Sequence, residues 1–183
     1  MPIPKNWVEE LAAEWLALEG FLVETNVRLS AHAGGGVDEA DVIGVRTDDS
    51  GGHIVHIETG QLVSSYSTNL KTVTDKFSDS RKQVVQSICR ERIIWPGEAA
   101  YKCYYISDFA GSPEKLRIAL EDTRIAFVPL QEFIIDHVLP TILRWKQQQQ
   151  TSGRRKTTET TLPDCYWLMK LLDYLHQHHK LNI

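Results

Sequence analysis

A chain of 183 residues with 42% hydrophobic and 24% charged content is long enough for one domain with a sizeable core. A net charge of −4 argues against a whole surface that grips nucleic acid indiscriminately, but leaves room for a local basic face. No apolar run reaches the length of a membrane span, Met1 to Trp7 lacks the order of a signal peptide, and Cys89, Cys103 and Cys165 lack the paired spacing of a zinc site, so the expectation is a reduced, cytoplasmic protein with no membrane partner and with thiols that act as small buried hydrophobes.

Along the chain, Trp7, Val8, Leu11, Ala12, Trp15, Leu16 and Leu18 recur at helical spacing, and Gly20 stands where a helix C-cap glycine would. The acids Glu9, Glu10, Glu14 and Glu19 read as the solvated face of that helix. Leu22 to Leu29 alternates apolar and polar residues, as a strand with one wet face does. Ser30 to Gly36 reads as a loop, and its three glycines do not lie between a strand and a helix, which excludes a phosphate-cradling loop.

Two β-branched runs follow, Glu39 to Val45 and His53 to Gln61, joined by the turn Asp48, Asp49, Ser50, Gly51, Gly52. Asp41 opens the first and Glu58 closes the second, so antiparallel pairing sets the two carboxylates side by side. Charged groups among apolar strand residues need a partner or a cation, and such a pair makes a hard oxygen site suited to Mg²⁺ or Mn²⁺. His53 and His56 are at odd spacing and point to opposite faces, so at most one serves that site; a surface or core histidine is the expected role.

Ser64 to Thr68 supplies helix-start residues, and Leu70, Val73, Phe77, Val84 and Ile88 then fall in one arc of a single long helix reaching about Arg92. Arg81, within or beside that arc, must snorkel or find a carboxylate. Lys71, Lys76 and Lys82 lie outside it and, with Arg90 and Arg92, make this the most basic element of the chain. After a turn at Trp95, Pro96, Gly97, the pattern predicts a covered strand over Tyr101 to Ser107, a helix over Pro113 to Leu120 capped by Ser112, a strand over Ile125 to Leu130, and a helix over Glu132 to Gln147 kinked near Pro140. Residues 1–146 thus form an α/β domain and 147–163 a polar linker containing Arg154, Arg155 and Lys156. Within 164–183, Asp164 is expected to cap a last helix whose Trp167, Leu168, Leu171, Leu172 and Leu175 pack on the domain or on a partner, a second copy in a homodimer being one such partner. His176, His178 and His179 are expected to be exposed at the chain end.

The order helix, three strands, helix, strand, with acids at these places, resembles the PD-(D/E)xK nuclease superfamily over roughly the first hundred residues. Glu9 matches that family's first-helix glutamate, Asp41 in Glu39, Ala40, Asp41, Val42, Ile43, Gly44 its metal-binding aspartate, and Glu58 in Val55, His56, Ile57, Glu58 the acid of its third motif. Where the family places a lysine, two residues after that acid, this chain has Gly60. Lys76 on the following helix is the best-placed substitute, with Lys71 and Arg81 nearby and Gln61 as an uncharged alternative.

The resemblance implies a restriction-endonuclease-like α/β fold, a mixed central β-sheet flanked by α-helices with C-terminal helical additions. It further implies a nuclease dependent on Mg²⁺ or Mn²⁺ that hydrolyses phosphodiester bonds of nucleic acid, with DNA the expected substrate. In that scheme Asp41 and Glu58 are metal ligands, Glu9 an outer ligand or water orienter, Lys76 the catalytic cation, and Lys71, Lys76 and Lys82 guides for phosphate. The competing expectations are a catalytically inactive nuclease-fold subunit that binds nucleic acid or a partner protein, and an unrelated α/β scaffold whose two acids never converge.

Overall fold

The computed structural model describes residues 6–31, 37–95, 97–151, 162–178 and 180. Helix α1 (Trp7–Leu18) is capped by Asn6, whose side chain accepts from the Val8 and Glu9 amides, and it leaves its last turn through Gly20 at φ +85. Strands β1 (Leu22–Ala31), β2 (Val37–Asp48) and β3 (Gly51–Leu62) follow as an antiparallel meander. Helices α2 (Tyr66–Lys76) and α3 (Asp79–Arg92) then cross to β4 (Ala99–Ala110), which runs parallel to β3. Helix α4 (Pro113–Leu120) leads to β5 (Ile125–Pro129), parallel to β4. The sheet order is β1-β2-β3-β4-β5, so the fold is α/β with a mixed five-stranded central sheet flanked by helices. Helix α5 (Leu130–Glu132), a π-helical stretch (Phe133–Val138), α6 (Leu139–Thr151) and α7 (Trp167–Gln177) complete the chain.

The period-two alternation of the strands separates two cores. Val42, Val55, Ile57, Ile106 and Val128 face Leu11, Ala12, Trp15 and Leu16 of α1, Ile142 of α6, and Leu168 and Met169 of α7. On the other face Ile43, Val45 and Ile54 meet Val85 and Cys89 of α3, while Cys103, Tyr105 and Phe127 meet Val73 of α2 and Leu116 and Leu120 of α4. No described helix is long and apolar enough to cross a membrane.

Several sequence expectations need correction. The single helix through Arg92 is two helices, broken at Phe77 and at Ser78, whose backbone is extended (φ −59, ψ 153). The break re-phases the second half, so Val85 and Cys89 are buried while Val84 is exposed. Strand β1 continues through Ser30 and Ala31, where a loop was expected. The kink expected near Pro140 takes the form of the π-helical stretch just before it, which accommodates a residue that cannot donate a backbone hydrogen bond. Helix α6 extends through Thr151, so the first part of the expected linker is helical, and Leu162 at its end is buried. Asp164 does not cap α7; it pairs with Lys170 (2.5 Å). The open amides of Leu168 and Met169 at the start of α7 instead donate to the Glu14 carboxylate of α1 (3.2 and 2.8 Å). Ser112 precedes α4 without a side-chain capping bond. Cys89 and Cys103 are buried as expected, but Cys165 is exposed. Gly34 to Gly36, Arg154 to Lys156 and His179 lie outside the described residues.

The acidic face of α1 is likewise not uniformly solvated. Glu9 and Glu14 are buried, and Glu19 accepts from Arg144 Nη1 (3.1 Å). Burial raises the Glu14 carboxyl above its ordinary range, partly offset by the amides of Met169 and Leu168. Through this contact α7 returns to the domain.

Candidate active site

The β2–β3 register pairs Val42 with Ile57 and Ile43 with His56. The ladder stops there, one residue short of Asp41 and Glu58, so both acids stand just past its end. Glu58 lies on the face covered by α2 and α3, where it meets Lys76 and Arg81. Asp41 Oδ2 accepts from the Thr59 amide (2.7 Å) and from Thr59 Oγ1 (3.1 Å). Glu58 has 0% exposure. Its Oε1 accepts from Arg81 Nη2 (3.0 Å) and His56 Nε2 (2.9 Å), and its Oε2 lies 2.6 Å from Lys76 Nζ. Oε2 is thus buried in an ion pair with the ammonium.

Arg81 resolves its position near the core by finding carboxylates. It pairs with Asp38 and Glu58, and its remaining donors go to the Glu39 carbonyl (3.0 Å) and the Lys76 carbonyl (2.9 Å). His56 is fully buried and serves this site, against the expectation of a bystander. Its Nδ1 lies 3.0 Å from Tyr101 Oη. Burial, with further contributions from Cys103, Cys89 and Glu58, pushes the Tyr101 hydroxyl up, so it keeps its proton, and His56 Nε2 faces the Glu58 carboxylate as a donor. Period two puts residues 56 and 58 on one face, a signal legible in the sequence. Nothing in the sequence pointed to Asp38 or Tyr101.

Burial pushes the Glu58 carboxyl up, but the hydrogen bond and charge of His56 and the charge of Lys76 outweigh it, and the net shift is downward. Asp41 goes the other way. Burial, then the Glu58 charge, raise it from 3.8 to about 6, with Glu9 adding in the same direction and Thr59 and Lys76 opposing. Glu9 therefore belongs to this cluster and is buried at 3% exposure, not one of several solvated helix acids. Lys71 is exposed on α2 away from these contacts, and Lys82 stands 4.0 Å from Asp79 on its own helix. The structure thus brings Glu9, Asp41, Glu58 and Lys76 together and leaves Lys71 and Lys82 outside.

Because the folded form binds the Asp41 proton more tightly than the unfolded chain does, this group favours folding most below its ordinary pKa, and the contribution is lost as pH rises from 3.8 to about 6. Asp41→Asn is expected to be more stable than the parent near pH 7 by on the order of 2 kcal/mol, with a flatter stability curve across that window. Urea unfolding at a series of pH values checks this; parallel curves for the two proteins would reject it.

Gly60 has φ +156, and a Cβ there would sit 3.0 Å from Tyr105 Oη. Tyr105 is itself buried, and its hydroxyl is pushed up to about 12 by burial and by the charges of Asp41 and Glu58. A lysine on this backbone is strained, and the cation that meets Glu58 Oε2 comes from α2. Gly60→Lys is expected to cost about 1–3 kcal/mol in thermal or urea unfolding without gain in any activity of the site.

Glu9, Asp38, Asp41 and Glu58 outnumber the cations Lys76 and Arg81. Among the described residues no group of three or more His, Cys, Asp or Glu forms a ready metal cage. Mg²⁺ and Mn²⁺ do not require one, since one or two carboxylates complemented by waters and substrate phosphate suffice. The excess of acid fits such an ion.

No family model matches this chain, and no curated protein matches it. A solved crystal structure of a protein of unknown function, AF1548, is similar at 15% identity and a TM-score of 0.44, over 93% of this chain and 76% of that one. A likeness that loose carries no argument about function.

Proposed function

We propose that the chain is a divalent-metal-dependent nuclease, hydrolysing phosphodiester bonds at the Asp41–Glu58–Lys76 cluster. The observation that carries this reading is Lys76 Nζ at 2.6 Å from Glu58 Oε2, which supplies from α2 the cation that Gly60 cannot. Asp41 and Glu58 are the residues that would hold Mg²⁺ or Mn²⁺. When bound, the ion would stabilise charge on the phosphoryl oxygens and provide a water of lowered pKa. Arg81 and His56 fix the Glu58 carboxylate through Oε1, leaving Oε2 directed toward Lys76. Lys76, with 34% of its side chain exposed, is mobile enough to turn its ammonium from Glu58 to a substrate phosphate oxygen or an attacking water. Glu9 adds negative charge beside Asp41 and orients water at that edge.

One observation favours a second reading. Glu58 is already met by Lys76, Arg81 and His56, as it would be in a catalytically inactive nuclease-fold subunit that binds nucleic acid or a partner protein. Incubating the purified chain with supercoiled plasmid, single-stranded DNA and RNA in Mn²⁺ separates the two. Cleavage abolished by Glu58→Gln is the expected result; salt-sensitive binding with every substrate intact would replace it with the second reading.

A further inference from the structure

Beside the acids lies a cleft of about 220 Å³ whose walls include Trp7, Thr59, Gly60, Gln61 and Asp108. It is one hydrogen bond from the site, because Thr59 is the residue that holds Asp41. Trp7 opens α1 on the wall of this cleft with 48% of its surface exposed. Phe109, 55% exposed, is the β4 register partner of the cleft residue Gln61. Trp167, 49% exposed, donates from Nε1 to Glu10 (2.6 Å), one helical turn from Trp7 on α1.

We infer that this cleft takes an unpaired nucleic-acid strand, its bases stacked on Trp7 and Phe109. The inference rests on the nuclease-fold reading and names its substrate class. Three physical facts carry it. Glu58 is completely buried and Asp41 partly so, and the cleft beside them is walled by the ring of Trp7. Unpaired bases offer their π faces to aromatic side chains, whereas a duplex keeps them stacked inside. A duplex carries twice the phosphate charge of a single strand along its length, and the described wall of the cleft brings Asp108 and no cation to offset it.

The test uses the full chain in EDTA, so that binding is read without cleavage, with an oligothymidylate and with the same strand annealed to its complement. The expected result is tighter binding of the single strand, with quenching of tryptophan emission. Trp7→Ala and Phe109→Ala are each expected to weaken single-strand binding roughly 5- to 100-fold with little change in the salt slope. Trp7→Phe is expected to keep most of the affinity and lose much of the quenching; circular dichroism confirms that each variant folds. Equal or tighter binding of the duplex, or unchanged affinity in both alanine variants, would overturn the inference. Single-strand binding that behaves as expected while Mn²⁺ produces no cleavage would remove the nuclease reading and leave this one, and cleavage of duplex indifferent to Trp7→Ala would do the reverse.

Discussion

Glu58→Ala is expected to cost about 3–5 kcal/mol of stability and to abolish cleavage. The side chain is fully buried and satisfies three donors on separate elements: His56 on its own strand, Lys76 at the end of α2 and Arg81 in α3. Truncation leaves Arg81 with Asp38 as its remaining carboxylate and strands the Nε2–H of His56 in an apolar surround of Phe77 and Tyr101. Lys76 can escape to solvent, so the loss falls mainly on Arg81 and His56. Glu58→Gln keeps shape and an oxygen acceptor, and is expected to lose less stability while losing cleavage as completely. Denaturant unfolding of both variants, paired with the plasmid assay, checks the split; equal stability of Glu58→Ala and the parent would show that the charge network contributes nothing to folding.

Lys76→Met is expected to slow cleavage by roughly 10²- to 10³-fold, the usual consequence of deleting one charged donor at a phosphoryl-transfer site. The methionine retains the apolar stem, so the change isolates the ammonium. Removing it takes away one of the charges that hold the Glu58 carboxyl down. Lys76→Arg is expected to rescue poorly, because a planar fork cannot replace a compact ammonium at 2.6 Å from a buried oxygen. Rates within twofold of the parent for Lys76→Met would assign the catalytic cation elsewhere.

How much of this was legible in the sequence depends on the range of the forces involved. The meander around Asp41 and Glu58 follows from local alternation and a turn rich in Asp, Ser and Gly; both acids fall on the paired strands, though inside them and not at the start and end that the pattern suggested. Lys76, flanking the apolar arc of the helix after β3, was the cation expected to reach back over the strands, and it does reach Glu58. The helix break at Phe77 and Ser78 was not legible, since no proline or glycine marks it; what it serves is tertiary, allowing Arg81 to reach Asp38 and Glu58. The burial of Glu9 and Glu14 was also hidden. Their partners, the Asp41 cluster for one and the α7 amides of Leu168 and Met169 for the other, are brought to them by the fold and not by neighbouring sequence.

The central claim is that Asp41 and Glu58 together hold a divalent cation, and titrating Mn²⁺ into the chain by calorimetry tests it most directly. Proton competition adds a sign to the expectation: with the Asp41 carboxyl at about 6, affinity should weaken as pH falls below that value. The account predicts a saturable isotherm for the parent that disappears in both Asp41→Asn and Glu58→Gln. No isotherm for the parent, or one that persists unchanged in both variants, would contradict it.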